Sequence, residues 1–169
     1  MKTLIKLCLV TFSTFLYSHI YSQVRPSLSI GAELGIPLFS NHKAGIGGSV
    51  KAAFPVGSDL DITASAGYIH YPAANGEDVS LYNENFIPVK IGARYRFVPG
   101  GFYFEPQLGY TSINSPGSTK ASGGFTYAAN AGYMFNKNLD LAVRYEAVSL
   151  KNNLNYPQIG FRLAYSFSL

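Results

Sequence analysis

Few side chains in this sequence could carry out covalent or metal chemistry. The histidines are His19, His42 and His70, and the single cysteine is Cys8. A hydrolytic site needs a nucleophile within hydrogen-bond reach of a base. The one arrangement that invites this reading sets Ser80 near His70, in a stretch that also carries Glu77, Asp78 and Glu84. A zinc site needs closely spaced His, Cys or carboxylate ligands, and His42 and His70, which remain once His19 is set aside with the first 22 residues, are too far apart to supply that spacing. "GIGG" at Gly45–Gly48 opens an alternating run rather than a helix, so it is no phosphate cradle. We therefore assign no catalytic residue, no metal ligand and no cofactor, and expect no enzyme. "PAANGEDVSLYNEN" (72–85) could still present Glu77, Asp78 and Glu84 to an external divalent cation.

The other groups with chemical potential are charges, and their spacing is more telling. Glu33, Lys51, Asp61, Lys90, Arg94, Arg96, Glu105, Asp140, Arg144, Glu146 and Arg162 all fall on the polar side of alternating runs. Arg25, Lys43, Asp59, Glu77, Asp78, Glu84, Lys120, Lys137 and Lys151 fall in connections or at run ends. No charge after the first 22 residues lies on an apolar face.

Those first residues are read separately. "MKTLIKLCLVTFSTFLYSHIYSQ" has Lys2 and Lys6, an apolar run from Leu7 to Leu16, then small and polar residues. That order is expected of a cleaved signal peptide, 1–22, leaving a mature domain of 23–169. The apolar run is shorter than the roughly 20 residues of a spanning helix. Without Lys2, Lys6 and Cys8, the mature chain has 11 basic and 9 acidic residues, no cysteine and no basic run suited to nucleic acid. Its stability must come from a core, a partner or a membrane rather than from disulfides. With 13 Tyr, 12 Phe and 17 Gly against few charges, the composition favours strands.

Period-two alternation picks out eight runs: Leu28–Leu38, Gly45–Phe54, Leu60–Tyr71, Phe86–Phe97, Phe102–Tyr110, Phe125–Phe135, Leu139–Ala147 and Gln158–Leu169. Their lengths suit tilted transmembrane strands. Alternation alone fits a soluble barrel or a membrane barrel, and volume separates the two. An eight-stranded barrel is only just wide enough to be filled by side chains. The apolar faces carry about five bulky residues per strand, too many for that space. The polar faces carry small residues such as Gly47, Ser49, Ser65, Gly92, Gly109, Ala128 and Gly160, which leave room for long charged chains. The apolar face is thus expected to meet lipid, where only a closed sheet leaves no backbone group unpaired. Aromatics cluster toward run ends, as interfacial girdles do, and short and long connections alternate. Pro88 and Pro157 fit strand starts, whereas Pro106 falls inside a run and should delete a ladder hydrogen bond or mark a bulge.

The expected fold is all-β: a single eight-stranded, antiparallel, up-and-down transmembrane barrel with an apolar lipid-facing exterior and a packed polar interior. From Leu28 to Leu169 the pattern resembles the small outer-membrane barrels of Gram-negative bacteria, of the OmpA-barrel and OmpX type. The end resembles the signal read by the barrel-insertion machinery, with Gln158, Gly160, Leu163, Tyr165, Phe167 and Leu169 in its outline. A final Leu stands where that signal usually has Phe. The resemblance implies an outer-membrane location and interior charges packed as a network, with a narrow conduit through them as the rival. Expected partners are outer-membrane lipid, the insertion machinery and an external ligand met by loops 72–85 and 111–124, with the chain a monomer. The function expected is structural or surface-interactive: membrane integrity, adhesion or binding through loops. A narrow channel for small or apolar solutes is the first alternative. A lipid-modifying enzyme and a soluble periplasmic, lipocalin-like binder follow it.

Overall fold

Strict alternation lets a strand bury one face and expose the other. Eight such strands leave no unpaired edge when they pair with one another in a ring. The computed structural model describes residues 25–38, 43–72, 83–98, 101–115, 122–150 and 155–168. The strands are β1 (Ser27–Pro37), β2 (Gly45–Pro55), β3 (Leu60–Tyr71), β4 (Glu84–Arg96), β5 (Phe102–Asn114), β6 (Ser122–Met134), β7 (Leu139–Ser149) and β8 (Asn155–Ser168). Each pairs antiparallel with its sequence neighbours, and β1 pairs with β8 to close the barrel. The expected signal segment 1–22, and His42, Glu77, Asp78, Ser80 and Leu169, lie outside the described residues.

The bulky apolar residues point outward. Ile30, Ile46, Val89, Ile91, Leu108, Val143 and Leu163 are all exposed on the barrel wall. An aromatic belt circles the end that holds the short turns. In it Tyr95 packs on Phe97, Phe102 on Tyr133, Tyr133 on Phe135 and Tyr165 on Phe167, all edge-to-face with centroids 4.8–5.3 Å apart. Tyr68, Tyr110, Phe125 and Tyr127 stand outward toward the long-loop end. An aliphatic band between two aromatic belts is the exterior of a barrel that spans a bilayer.

The prolines modify the wall without shifting it. Pro106 lies inside β5. Pairing with β4 runs to Gly92↔Gln107, lapses opposite Pro106, and resumes at Tyr95↔Phe104 in unchanged register. It therefore deletes a rung, as a residue without N–H must, and makes no bulge. Pro88 does not start its strand. It is inside β4, and pairing with β3 lapses between Ala66↔Val89 and Ile69↔Phe86, again without a register change. Before it, Glu84 and Asn85 continue the ladder of β4 beyond the apolar run, which starts at Phe86. Pro157 is the third residue of β8 and is paired with Ala147. Replacing the outward-facing Pro106 by Val is expected to restore the missing rung and raise stability by about 1 kcal/mol. A later denaturant midpoint in lipid vesicles checks it.

Beyond the upper aromatics the two faces exchange character. Inward positions become apolar, with Ile69, Tyr71, Phe86, Ile113 and Val148 buried together, and Leu150 and Tyr156 packed on them. The outward neighbours on the same strands are His70, Asn85, Asn114 and Ser149. The strands therefore run past the lipid into water and there adopt the soluble arrangement, apolar inside and polar outside. This collar explains why β4, β5, β6, β7 and β8 extend further at this end than the apolar runs do.

Candidate functional site

The lumen is the site, and it is built by alternating large and small inward residues. Tyr103 lies over Gly132, its register partner, and Tyr71 lies over Gly35 and Gly45. A Cβ at either Gly35 or Gly132 would overlap a phenol ring, so close approach requires glycine there. With that room, all eleven charges singled out from the sequence point inward, and each takes part in an ion pair.

The pairs stack in tiers along the barrel. Nearest the short turns, Arg96 Nη1 donates to both Asp61 oxygens at 2.9 and 2.7 Å, and its Nη2 to the Ser58 carbonyl at 2.8 Å. In the same tier Tyr103 Oη donates to Asp140 at 3.1 Å, and the Arg94 guanidinium lies 4.6 Å from the Tyr103 ring centre. Above it, Glu105 is a hub. Its carboxylate accepts from Lys51 Nζ (2.9 Å), Arg94 Nε (3.1 Å), Thr63 Oγ1 (2.8 Å) and Gln107 Nε2 (2.6 Å). On the opposite wall Glu33 accepts from Ser49 Oγ at 2.6 Å and pairs with Arg144 (3.1 Å) and Arg162 (3.4 Å). The highest charged tier holds Lys90 against Glu146, Gln158 Nε2 donating to Glu146 at 2.7 Å, and Tyr71 Oη donating to Gln158. Tyr71 also belongs to the apolar collar core, which lies at the long-loop end of these tiers.

Glu105 and Glu146 are fully inaccessible, at 0 % relative exposure, and a cavity of about 10 Å³ remains in the lumen, with Glu33 as the one carboxylate on its wall. That is room for about one water. A buried charge without a partner is costly, and here carboxylates are shared between cations so that none stands alone. Chemically the arrangement sets ion pairs in successive tiers and an apolar cluster along the path that a solute would take.

The outer-membrane protein beta-barrel domain family matches residues 13–167. This chain belongs to that family.

For this outer-membrane barrel, solved structures give the same fold at low identity. Ail, the attachment invasion locus protein of Yersinia pestis, crystallised with the heparin analogue sucrose octasulfate, matches with a TM-score of 0.61. The identity is 16%, covering 86% of this chain and 100% of that one. The N-terminal barrel domain of Pseudomonas aeruginosa OprF matches with a TM-score of 0.54 at 19% identity, covering 86% and 100%. Neisserial surface protein A (NspA) matches with a TM-score of 0.50 at 16% identity, covering 86% and 95%. No curated protein matches the chain significantly by sequence.

The other sequence candidates in this outer-membrane barrel are placed as follows. Gln158 and Gly160 face the lumen, and Leu163, Tyr165 and Phe167 face outward. His70 is not aimed into the lumen. On the outer face, its Nδ1 is 2.7 Å from Asn85 Oδ1, which also accepts from Tyr68 Oη at 2.8 Å. Among the described residues no group of three His, Cys, Asp or Glu could hold a metal ion. Sequence reasoning missed the collar core and the neutral members of the network: Tyr71, Tyr103, Gln107 and Gln158. The signal for the core was present: at Ile69–His70, Asn85–Phe86, Ile113–Asn114 and Val148–Ser149, the apolar residue occupies the inward parity.

Proposed function

We propose that this outer-membrane barrel acts as a sealed membrane element whose working surface is its long-loop end, in membrane integrity, adhesion or surface binding. The observation that carries it is the lumen, crossed by tiers of paired charges and topped by the buried Ile69–Phe86–Val148 cluster. A structural or surface role accords with the family and with neighbours whose names describe attachment and surface proteins. On this reading the segment 1–22 directs export, and Gln158, Gly160, Leu163, Tyr165 and Phe167 serve the insertion machinery. The finished chain is a monomer in outer-membrane lipid. Loops 72–85 and 111–124 meet the external ligand, and Glu77, Asp78 and Glu84 are its acidic members.

The test is planar-bilayer recording on the purified barrel. We expect no step conductance in 1 M salt, a concentration at which exposed ion pairs are screened but buried ones are not. Reproducible unitary steps would favour the narrow-channel alternative instead. The enzyme alternative has its own test. His70 already spends Nδ1 on Asn85 at the outer face. His70→Asn is therefore expected to leave every phenotype of the wild-type barrel unchanged. A lipid acyl-transfer or hydrolysis product that vanishes in this variant would restore the enzyme reading.

A further inference from the structure

The charges of the lumen do not sum to zero. Asp61 and Arg96 neutralise each other near the short turns. The other nine are Lys51, Lys90, Arg94, Arg144 and Arg162 against Glu33, Glu105, Asp140 and Glu146, an excess of one positive charge. Glu84 stands at the rim, on the far side of the apolar layer formed by Phe86 and its neighbours. An uncompensated charge in a space walled from water is expensive.

The excess coincides with the cavity. Lys51, Lys90, Arg144 and Arg162 line it, with Glu33 as the one carboxylate on its wall. The hydroxyl of Ser65, also on that wall, is buried and has no hydrogen-bond partner among the described residues. Arg144 Nε and Arg162 Nη1 likewise make no hydrogen bond, only ionic contacts at 3.1 and 3.8 Å. An ammonium carries three N–H donors, and Lys51 and Lys90 each use one on a carboxylate. Donors on the wall outnumber acceptors: Ser65 Oγ, Arg144 Nε and Arg162 Nη1 stand against Glu33 Oε2, the one buried acceptor of the lining that also makes no hydrogen bond and that lies 3.1 Å from Arg144 Nη1. A water there would bring two more protons to a wall that already has donors in excess.

We propose that the lumen holds one small monovalent anion of halide size, bound by Ser65 and the ammonium and guanidinium groups of Lys51, Lys90, Arg144 and Arg162. The ion supplies the missing negative charge and accepts from the surplus donors, Glu33 Oε2 being held away from it by Arg144. The flexible lysine stems accommodate an ion somewhat larger than water. The ion is a structural ligand of the lumen.

Bromide is the probe. The barrel is refolded from urea into detergent in sodium bromide or, at equal ionic strength, in sodium gluconate, whose anion is too large for the cavity. We expect a higher unfolding temperature in bromide and an anomalous bromide peak beside Ser65 in crystals grown from it. Lys51→Met removes the excess charge and is expected to abolish both effects. Ser65→Ala, a milder change, is expected to raise the half-saturating bromide concentration about tenfold, as loss of one hydrogen bond to an ion does. Water without anomalous signal in the cavity would overturn the proposal. So would a bromide effect on stability that persists unchanged in Lys51→Met, since it would then be a general salt effect.

Discussion

Replacing Glu105 by Leu is expected to destabilise the barrel by about 3–5 kcal/mol, the usual consequence of removing one partner from a buried charge network. The size follows from what the carboxylate holds. Lys51, Arg94, Thr63 and Gln107 all donate to it, and its relative exposure is 0 %. Leu offers none of them an acceptor, so two cations, a hydroxyl and an amide are left facing one another without water. Lys51→Met at the same hub is expected to cost no more than about 1 kcal/mol, because Glu105 keeps Arg94 and its neutral donors. Equilibrium unfolding in lipid vesicles with guanidinium measures both. Near-equal, small losses for the two variants would mean that water screens the hub, and the sealed lumen would have to be abandoned.

The second large effect belongs to the outer wall. Ile91 is 67 % exposed, and its strand neighbours are Ala64 and Leu108, within the aliphatic band between the aromatic belts. Ile91→Arg should cost about 2–4 kcal/mol in a bilayer, where a midplane charge has no solvent. Phe97, exposed near the short turns, is the depth control, and Phe97→Arg should cost about 1 kcal/mol or less. If Ile91→Arg were neutral in vesicles, this wall would not face lipid. The pair of substitutions thus measures depth as well as burial.

The strands, their order and the outward face were legible because a lipid-spanning strand has little freedom. Each position must be apolar or hidden, and period two shows which. The inward positions of Glu33, Lys90 and Arg162 follow from the same parity. Which charge meets which did not follow, because partners such as Arg162 on β8 and Ser49 on β2 are far apart in sequence and meet only once the ring closes across β1. Nor did the neutral members, since Tyr71 and Tyr103 look like girdle residues until their parity is weighed against Gly35 and Gly132. The collar was hidden for a different reason. Past the membrane the environment of the two faces exchanges, so Phe86 and Ile113 keep their period while changing its meaning. The proline reading was half right: Pro106 deletes a rung, but Pro88 does the same inside β4 rather than opening it.

The seam between β1 and β8 is unbroken from Ser27↔Ser168 to Pro37↔Gln158, and every rung joins opposite ends of the chain. Such long-range pairs form slowly, because the intervening strands must be laid out before the ends can meet. The same seam cannot be unpicked locally without breaking the ring. Closure is therefore the late, committing event of assembly, and reopening is slower still. What keeps this protein in place is then a matter of rate: its lifetime is set by the barrier to opening, and modest changes in equilibrium stability far from that seam need not shorten it.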